Sequence, residues 1–435
     1  MVAYSFAVLS HELNFLFFLL VLGGFLILTS SIGLTLRFFM ASDSFSCYLM
    51  LLTILVFFFS ILSIYYEKLN YAFWVYLNFL LFVLVFFLAL LFFSCDIFFF
   101  YIFFELTVIP TFIVIIGWGY RVNRLQASFY IVVYILFSSF PFLFSFLFFH
   151  GFGLSFMFFF GFYSKLVLIG SFWWFFLFVV FSVKLPVFFL HLWLPRAHVD
   201  APLLGSIVLA GVLLKIGGFG LLRVSYLLFP FFYKFGWFLV PFALVGSFYA
   251  AIVCLRQSDI KSLVAYSSIV HIGPVFICFF FLSYYRLLGS FLIIISHGLC
   301  SCALFFLLNF IRKLVFTRRI FFLRGSISAR AVFTFFWFCY CFFNIGCPPS
   351  FNFFSEFISI FSCLLYRQSF LLAFSSIIVI VGFYCVTLIA SLSHGLPFFY
   401  FFPSFIFLKL SDLLVSFFLA FLLLFFLFFS FIFSC

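Results

Sequence analysis

The 435-residue chain alternates long apolar runs with short polar connections, and that spacing predicts its architecture. A helix needs about 20 apolar residues to cross the hydrocarbon of a bilayer. Runs of that kind fall at roughly 15–36, 45–66, 71–93, 96–119, 125–149, 166–190, 203–222, 235–255, 261–282, 287–310, 331–362, 369–392 and 413–434. They are apolar on every face, whereas strands of a membrane barrel alternate polar and apolar residues over about ten positions. The expected fold is an all-α, polytopic bundle of about 13 transmembrane helices. Two helices should be discontinuous. The run at 331–362 is too long for one straight crossing and contains Gly346-Cys347-Pro348-Pro349, and the run at 166–190 meets Lys184-Leu185-Pro186. Broken helices at membrane depth leave unpaired backbone groups, which are tolerated only against protein or a wet cavity and which recur at the ion sites of transporters.

Composition sharpens this picture. With 69% hydrophobic and 7% charged residues, a water-soluble globule is excluded. The 93 phenylalanines exceed what packing requires. Because Phe codons are T-rich, the excess reads as mutational pressure in an organellar genome, with Phe replacing Leu, Ile and Val at lipid-facing positions. The net charge of +12 does not point to nucleic acid, because the basic residues sit in the connections. They serve topology. Lys68, Arg121, Arg124, Arg196, Arg256, Lys261, Arg312, Lys313, Arg318, Arg319, Arg324, Arg330 and Lys409 fall on one side. Arg37, Lys165, Arg223, Lys234, Arg286 and Arg367 fall on the other, which places the first side and the N-terminus in the negative compartment, the matrix of a mitochondrion. The 12 cysteines contain no C-x-x-C, so no iron-sulfur or zinc framework is expected. No targeting peptide precedes the first span, so the chain is expected to be made and inserted inside the organelle.

A few ionisable residues remain inside the spans. Glu105 lies near the middle of the fourth, with Asp96 at its start; Lys184 precedes one break and Glu356 follows the other. Lys215, His271 and His297 fall mid-span. A charge at the bilayer centre costs about 3 kcal/mol on insertion scales, so its default meaning is functional. Carboxylate, amine and imidazole in one row permit proton transfer, each protonation biasing the next. No triad-like setting or phosphate loop supports another chemistry. The spacing from Glu105 to Lys184 resembles that from His271 to Glu356, so each half would contribute an intact polar helix followed by a broken one.

The run from Val183 through Lys184, Pro186, His191, Trp193, Pro195, Arg196, His198, Asp200 and Pro202 to Gly205, Ser206 and Lys215 resembles subunit 4 of NADH:ubiquinone oxidoreductase, respiratory complex I, a family related to Mrp-type cation/proton antiporter subunits. Supporting stretches are Phe104-Glu105-Leu106-Thr107 with Pro110, Asp259 to Ser268 with His271, Ser296 to Ser301, and Asn344 through Pro348-Pro349 to Glu356. Together they cover about 96–362. The resemblance implies a multi-pass subunit of the mitochondrial inner membrane that couples NADH:ubiquinone electron transfer to proton pumping through Glu105, Lys184, Lys215, His271, His297 and Glu356. Glu105 and Lys184 would form a coupled pair in one half-channel, and Lys215 and the histidines would lead to Glu356 and the opposite one. It implies no cofactor or metal in this chain, with NADH, FMN, iron-sulfur clusters and ubiquinone elsewhere in the complex. Its partners would be the other membrane-arm subunits, including neighbouring antiporter-like ones, and membrane lipids. The implied organisation is N-terminal helices at 1–95, antiporter-like repeats at 96–230 and 231–395, and a C-terminal helix at 396–435. Two features depart from the family: Asp200 stands where Glu is usual, and three spans rather than four precede Glu105, so an N-terminal helix is expected to be missing. The rival readings are a scaffold subunit that no longer conducts and a stand-alone antiporter; the complete ionisable set disfavours the first and the absence of a targeting peptide the second.

Overall fold

A computed structural model describes residues 43–64, 71–119, 122–151, 171–279, 284–315, 317–325, 331–364, 368–395 and 415–424. The expected first span, at 15–36, lies outside them, as do the ends of the last. Helices α1 (Ser44–Ile64) and α2 (Tyr71–Phe93) precede α3 (Ile97–Leu106) and α4 (Val108–Trp118), which together make one crossing. Then come α5 (Arg124–Gly151), α6 (Ser171–Lys184), α7 (Trp193–Asp200) and α8 (Leu203–Val208). A π-helical turn at Leu209–Leu213 joins α8 to α9 (Leu214–Leu255). The second half contains α10 (Ile260–Phe279), α11 (Tyr284–Val315), α12 (Ala331–Ile345), α13 (Phe351–Leu364), α14 (Gln368–Ser393) and α15 (Val415–Leu424). Among the described residues, eight stretches are long and apolar enough to cross a membrane, and four shorter apolar helices accompany them. At 1.5 Å per residue, the 42 residues of α9 would rise about 63 Å, twice the hydrocarbon thickness. Residues 203–225 and 235–255 accordingly form two separate candidate spans, as their composition predicts.

The breaks fall where the prolines place them. Past Lys184 the chain leaves helical geometry until Trp193, and past Ile345 until Phe351. Each break is stitched by a side chain from beyond it. Trp193 Nε1 donates to Val183 O at 3.1 Å, and Asn352 Nδ2 donates to Phe343 O at 2.8 Å. Val183 O loses its helical partner when the chain turns, and Phe343 O keeps only Gly346 N at 3.2 Å, so each added donor completes a buried carbonyl. Ser350 Oγ then accepts from Phe353 N and caps α13.

Two further interruptions are corrections to the sequence reading. The helix bearing Glu105 is not intact: it hitches at Thr107, because Pro110 has no N–H to give the carbonyl of Leu106. A π-turn also precedes Lys215, where an unbroken helix is expected.

Buried area identifies the centre of the bundle. The most apolar stretch of α11 is wholly buried and that of α10 is 94% buried, against 33% for α14. Close approach of the central helices depends on glycines without side chains. An ideal Cβ on Gly217 would stand 2.9 Å from Leu185 N, and one on Gly220 only 2.1 Å from Phe181 Cε1. These glycines press the end of α6 against the first turns of α9, so Lys184 and Lys215 belong to touching segments. Phe does not serve lipid-facing positions alone. Phe73, Phe137 and Phe144 are exposed, but Phe100, Phe104, Phe181 and Phe219 are buried and in mutual ring contact, because an aromatic ring also fills the gap between helices in the core.

Candidate functional site

The six ionisable residues divide into a pair and a row. In the pair, α6 ends on Lys184, where a cation favours the carbonyl end of the helix dipole. Its Nζ donates to Phe104 O at 3.2 Å and lies 3.0 Å from the centroid of the Phe104 ring. The same carbonyl accepts from Thr107 Oγ1 at 2.8 Å, at the hitch in the Glu105 helix. Lys184 thus holds the residue before Glu105, and its charge acts on the Glu105 carboxylate. The Ser139 hydroxyl on α5 donates to Leu136 O at 3.1 Å and stands near enough to Glu105 and Tyr101 to act electrostatically on both. Oε1 of Glu105 is buried with no hydrogen-bond partner among the described residues.

The row runs through the most buried helices. Lys215 Nζ donates to Ala210 O at 2.5 Å, a carbonyl inside the π-turn, and lies 3.2 Å from His297 Nδ1 on α11. The rings of His297 and His271 are 5.2 Å apart between centroids, inclined at 38°. His271 Nδ1 on α10 is 3.3 Å from Glu356 Oε1 on α13, and its Nε2 is 3.1 Å from Asn344 Oδ1 on α12. The Asn344 amide continues through Nδ2 to the Tyr384 hydroxyl at 3.2 Å and to Cys385 Sγ at 3.6 Å on α14. Lys215, His271, His297, Glu356 and Asn344 are all buried.

Local structure explains the placement of each group. Gly298 comes within 3.1 Å of Lys215 Cε, measured from an ideal Cβ, so a side chain there would crowd the lysine away from His297. Gly346, at φ +76°, offers bare backbone to the Glu356 carboxylate: a Cβ would meet Oε2 at 2.4 Å. A small cavity of about 20 Å³ borders Lys215, His271 and His297, room for about one water. Beyond the row, His198 stacks on Phe305 and has neither ring nitrogen hydrogen-bonded among the described residues. At the positive face, Lys261 Nζ donates to Ala201 O at 2.7 Å and Arg318 to Val199 O at 2.9 Å. Both cap the carbonyl end of α7, where cations are favoured. The loop of Arg318 and Arg319 is pinned by a bridge to Asp259.

The structure therefore joins Lys215, His297, His271 and Glu356 by direct contacts and keeps Glu105 with Lys184. Sequence reasoning missed Asn344 as a member of the site, noting it only as the start of the broken segment. It noted Phe104 only as the start of a motif, and it missed Ser139 and Tyr384 altogether. The available signal for Asn344 was a carboxamide two residues before the glycine that opens the break, in an otherwise apolar helix. Among the described residues no three His, Cys, Asp or Glu side chains converge as metal ligands.

A family model described as NADH:quinone oxidoreductase/Mrp antiporter, TM, matches residues 94–382, close to the 96–362 over which the motifs were read. Among relatives, NADH-ubiquinone oxidoreductase chain 4 of Artemia franciscana is 40% identical over 312 residues, 68% of this chain and 75% of that one. The chain of the same name from Locusta migratoria is 36% identical over 308 residues, 70% of this chain and 68% of that one. A chain of respiratory complex I from Thermus thermophilus with bound NADH superposes with a TM-score of 0.77 at 22% identity, covering 89% of this chain and 81% of that one. The fold is that of a complex I antiporter-like subunit.

Proposed function

As the chain belongs to the NADH:quinone oxidoreductase/Mrp antiporter transmembrane family, we propose that it is a proton-translocating subunit of the membrane arm of respiratory complex I, with its six intramembrane ionisable residues, five of them buried and Glu105 half-buried, as the path. The observation that carries this reading is the unbroken succession Lys215, His297, His271, Glu356 across α9, α10, α11 and α13, each step a contact of 3.2–3.3 Å or a ring approach of 5.2 Å. Buried ionisable groups that touch exchange protons and share charge, so one protonation event biases the next. A scaffold has no need to carry the desolvation cost of six such groups.

In this reading, loading or unloading of Glu105 alters the charge felt by Lys184. The touching ends of α6 and α9 pass that change to Lys215. When Lys215 gives its proton to His297, the positive charge moves toward Glu356 and the far exit; when it takes one back, the row is reset. In this reading the chain needs no redox centre of its own. NADH, FMN, iron-sulfur clusters and ubiquinone are handled by other subunits, and the driving event reaches this chain from its neighbours in the arm. The mitochondrial inner-membrane location in this reading follows from the kinship with animal NADH-ubiquinone oxidoreductase chains 4, and the matrix orientation of the basic face from the positive-inside rule.

The test is Glu105→Gln in the assembled complex, which keeps the shape and removes the titratable proton. NADH-driven proton pumping and quinone turnover should fall at least about tenfold, a modest figure for deleting an acid–base group. Normal pumping by an assembled variant would sink the proposal.

A further inference from the structure

His271 is the only row member held at both ring nitrogens, with Glu356 on one side and Asn344 on the other. Asn344 is itself fully engaged. Its Nδ2 donates to the Tyr384 hydroxyl and Cys385 Sγ, and its Oδ1 takes the Nε2–H of His271 with the Cys300 thiol 4.0 Å away. An amide whose nitrogen is spent as a donor presents its oxygen as an acceptor, and a ring nitrogen facing that oxygen must carry hydrogen. The tautomer of neutral His271 follows: hydrogen on Nε2, lone pair on Nδ1, facing Glu356 Oε1. An amide oxygen is a very weak base, so the Nε2 proton has nowhere to go while this bond lasts.

We propose that Asn344 is a latch that makes His271 a gate in the row. The inference rests on the reading of the row as a proton path. While latched, His271 exchanges a proton with Glu356 alone: the O–H bond of Glu356 breaks, the Nδ1–H bond of His271 forms, and the products are carboxylate and imidazolium. The reverse step returns the same proton to the same oxygen. Passing it to His297 requires the His271 ring to turn off Asn344, toward the cavity it shares with Lys215 and His297. Because the latch opposes that turn, His297 and Glu356 are not connected at rest, which is what a pump needs to avoid running backwards under its own gradient. Tyr384 and Cys385, on α14, hold the latch from a helix that carries none of the six residues.

The measurement is passive proton leak through the assembled complex in proteoliposomes under an imposed pH gradient, without NADH. Asn344→Leu should raise the leak roughly five- to tenfold, as expected for loss of one buried hydrogen bond holding the closed state. Adding His271→Gln to Asn344→Leu should return the leak to its original level, because the path runs through that ring. An unchanged leak in Asn344→Leu overturns the latch, and so does a raised leak that survives His271→Gln, since general loosening of the bundle would not depend on His271. If Asn344→Leu fails to assemble, Tyr384→Phe keeps the packing and removes only the hydroxyl holding the amide. It should raise the same leak about threefold, a fraction of one hydrogen bond, and no rise overturns the latch. The Glu105→Gln variant separates the two claims. Normal pumping there defeats the path itself, whereas lost pumping there together with an unchanged leak in the Asn344 variants defeats the latch alone.

Discussion

The two halves of the site are built differently. In the row, side chain meets side chain from Lys215 to Glu356, and Asn344 fixes the middle. In the pair, Lys184 is held by a backbone carbonyl and an aromatic face, and Glu105 keeps one oxygen uncommitted. A group fixed by several partners transfers protons along one geometry only, whereas a group with an open oxygen can change partners. The pair therefore suits the role of a responsive input and the row that of a gated conductor. The packing agrees: Lys215, His271 and His297 sit on spans that are 89–100% buried, while Glu105 sits on one that is 44% buried.

That contrast is open to substitution. Glu356→Asp withdraws the carboxylate from its 3.3 Å contact with His271 Nδ1, so pumping should fall about tenfold, the equivalent of 1.4 kcal/mol. Gly346→Ala is next. The added methyl meets the Glu356 carboxylate and must adopt φ +76°, at a cost of about 1–3 kcal/mol, so pumping should fall severalfold while assembly persists. Glu105→Asp should cost less than Glu356→Asp, no more than about threefold, because an oxygen without a fixed partner loses little when it retracts. Ser139→Ala, removing a hydroxyl that bonds Leu136 O beside Glu105, should have the smallest effect, below about threefold. NADH-driven pumping rates in assembled complexes rank all four. If Glu105→Asp proves more damaging than Glu356→Asp, the distinction between input and conductor is lost.

Much of this was legible beforehand. The breaks at Lys184-Leu185-Pro186 and Gly346 to Pro349 stand where proline chemistry put them, and all six ionisable residues were visible because a charge inside an apolar run has no cheap explanation. The pair and row were not separable from spacing, since Lys215 and His297 are 82 positions apart and meet only through helix packing. The hitch at Thr107 was missed although Pro110 signals it, because that proline was read only as part of a motif; the π-turn before Lys215 lies in an apolar run that gives no local signal for it. Asn344 was passed over because a neutral carboxamide is inexpensive compared with a charge, although once buried beside His271 it has more contacts than any charged member of the row. The phenylalanines were read too narrowly. Genome bias explains their number, yet Phe104 provides both the carbonyl and the ring that hold Lys184.

Lys215 is where pair and row meet, at the junction of the α6 end, the π-turn and His297. The most direct test of the account is the number of protons translocated per NADH oxidised by an assembled complex carrying Lys215→Met, measured beside the unsubstituted complex in sealed vesicles. The account predicts a lower ratio together with slower turnover, because charge from the pair no longer reaches His297. An unchanged ratio at an unchanged rate would contradict it.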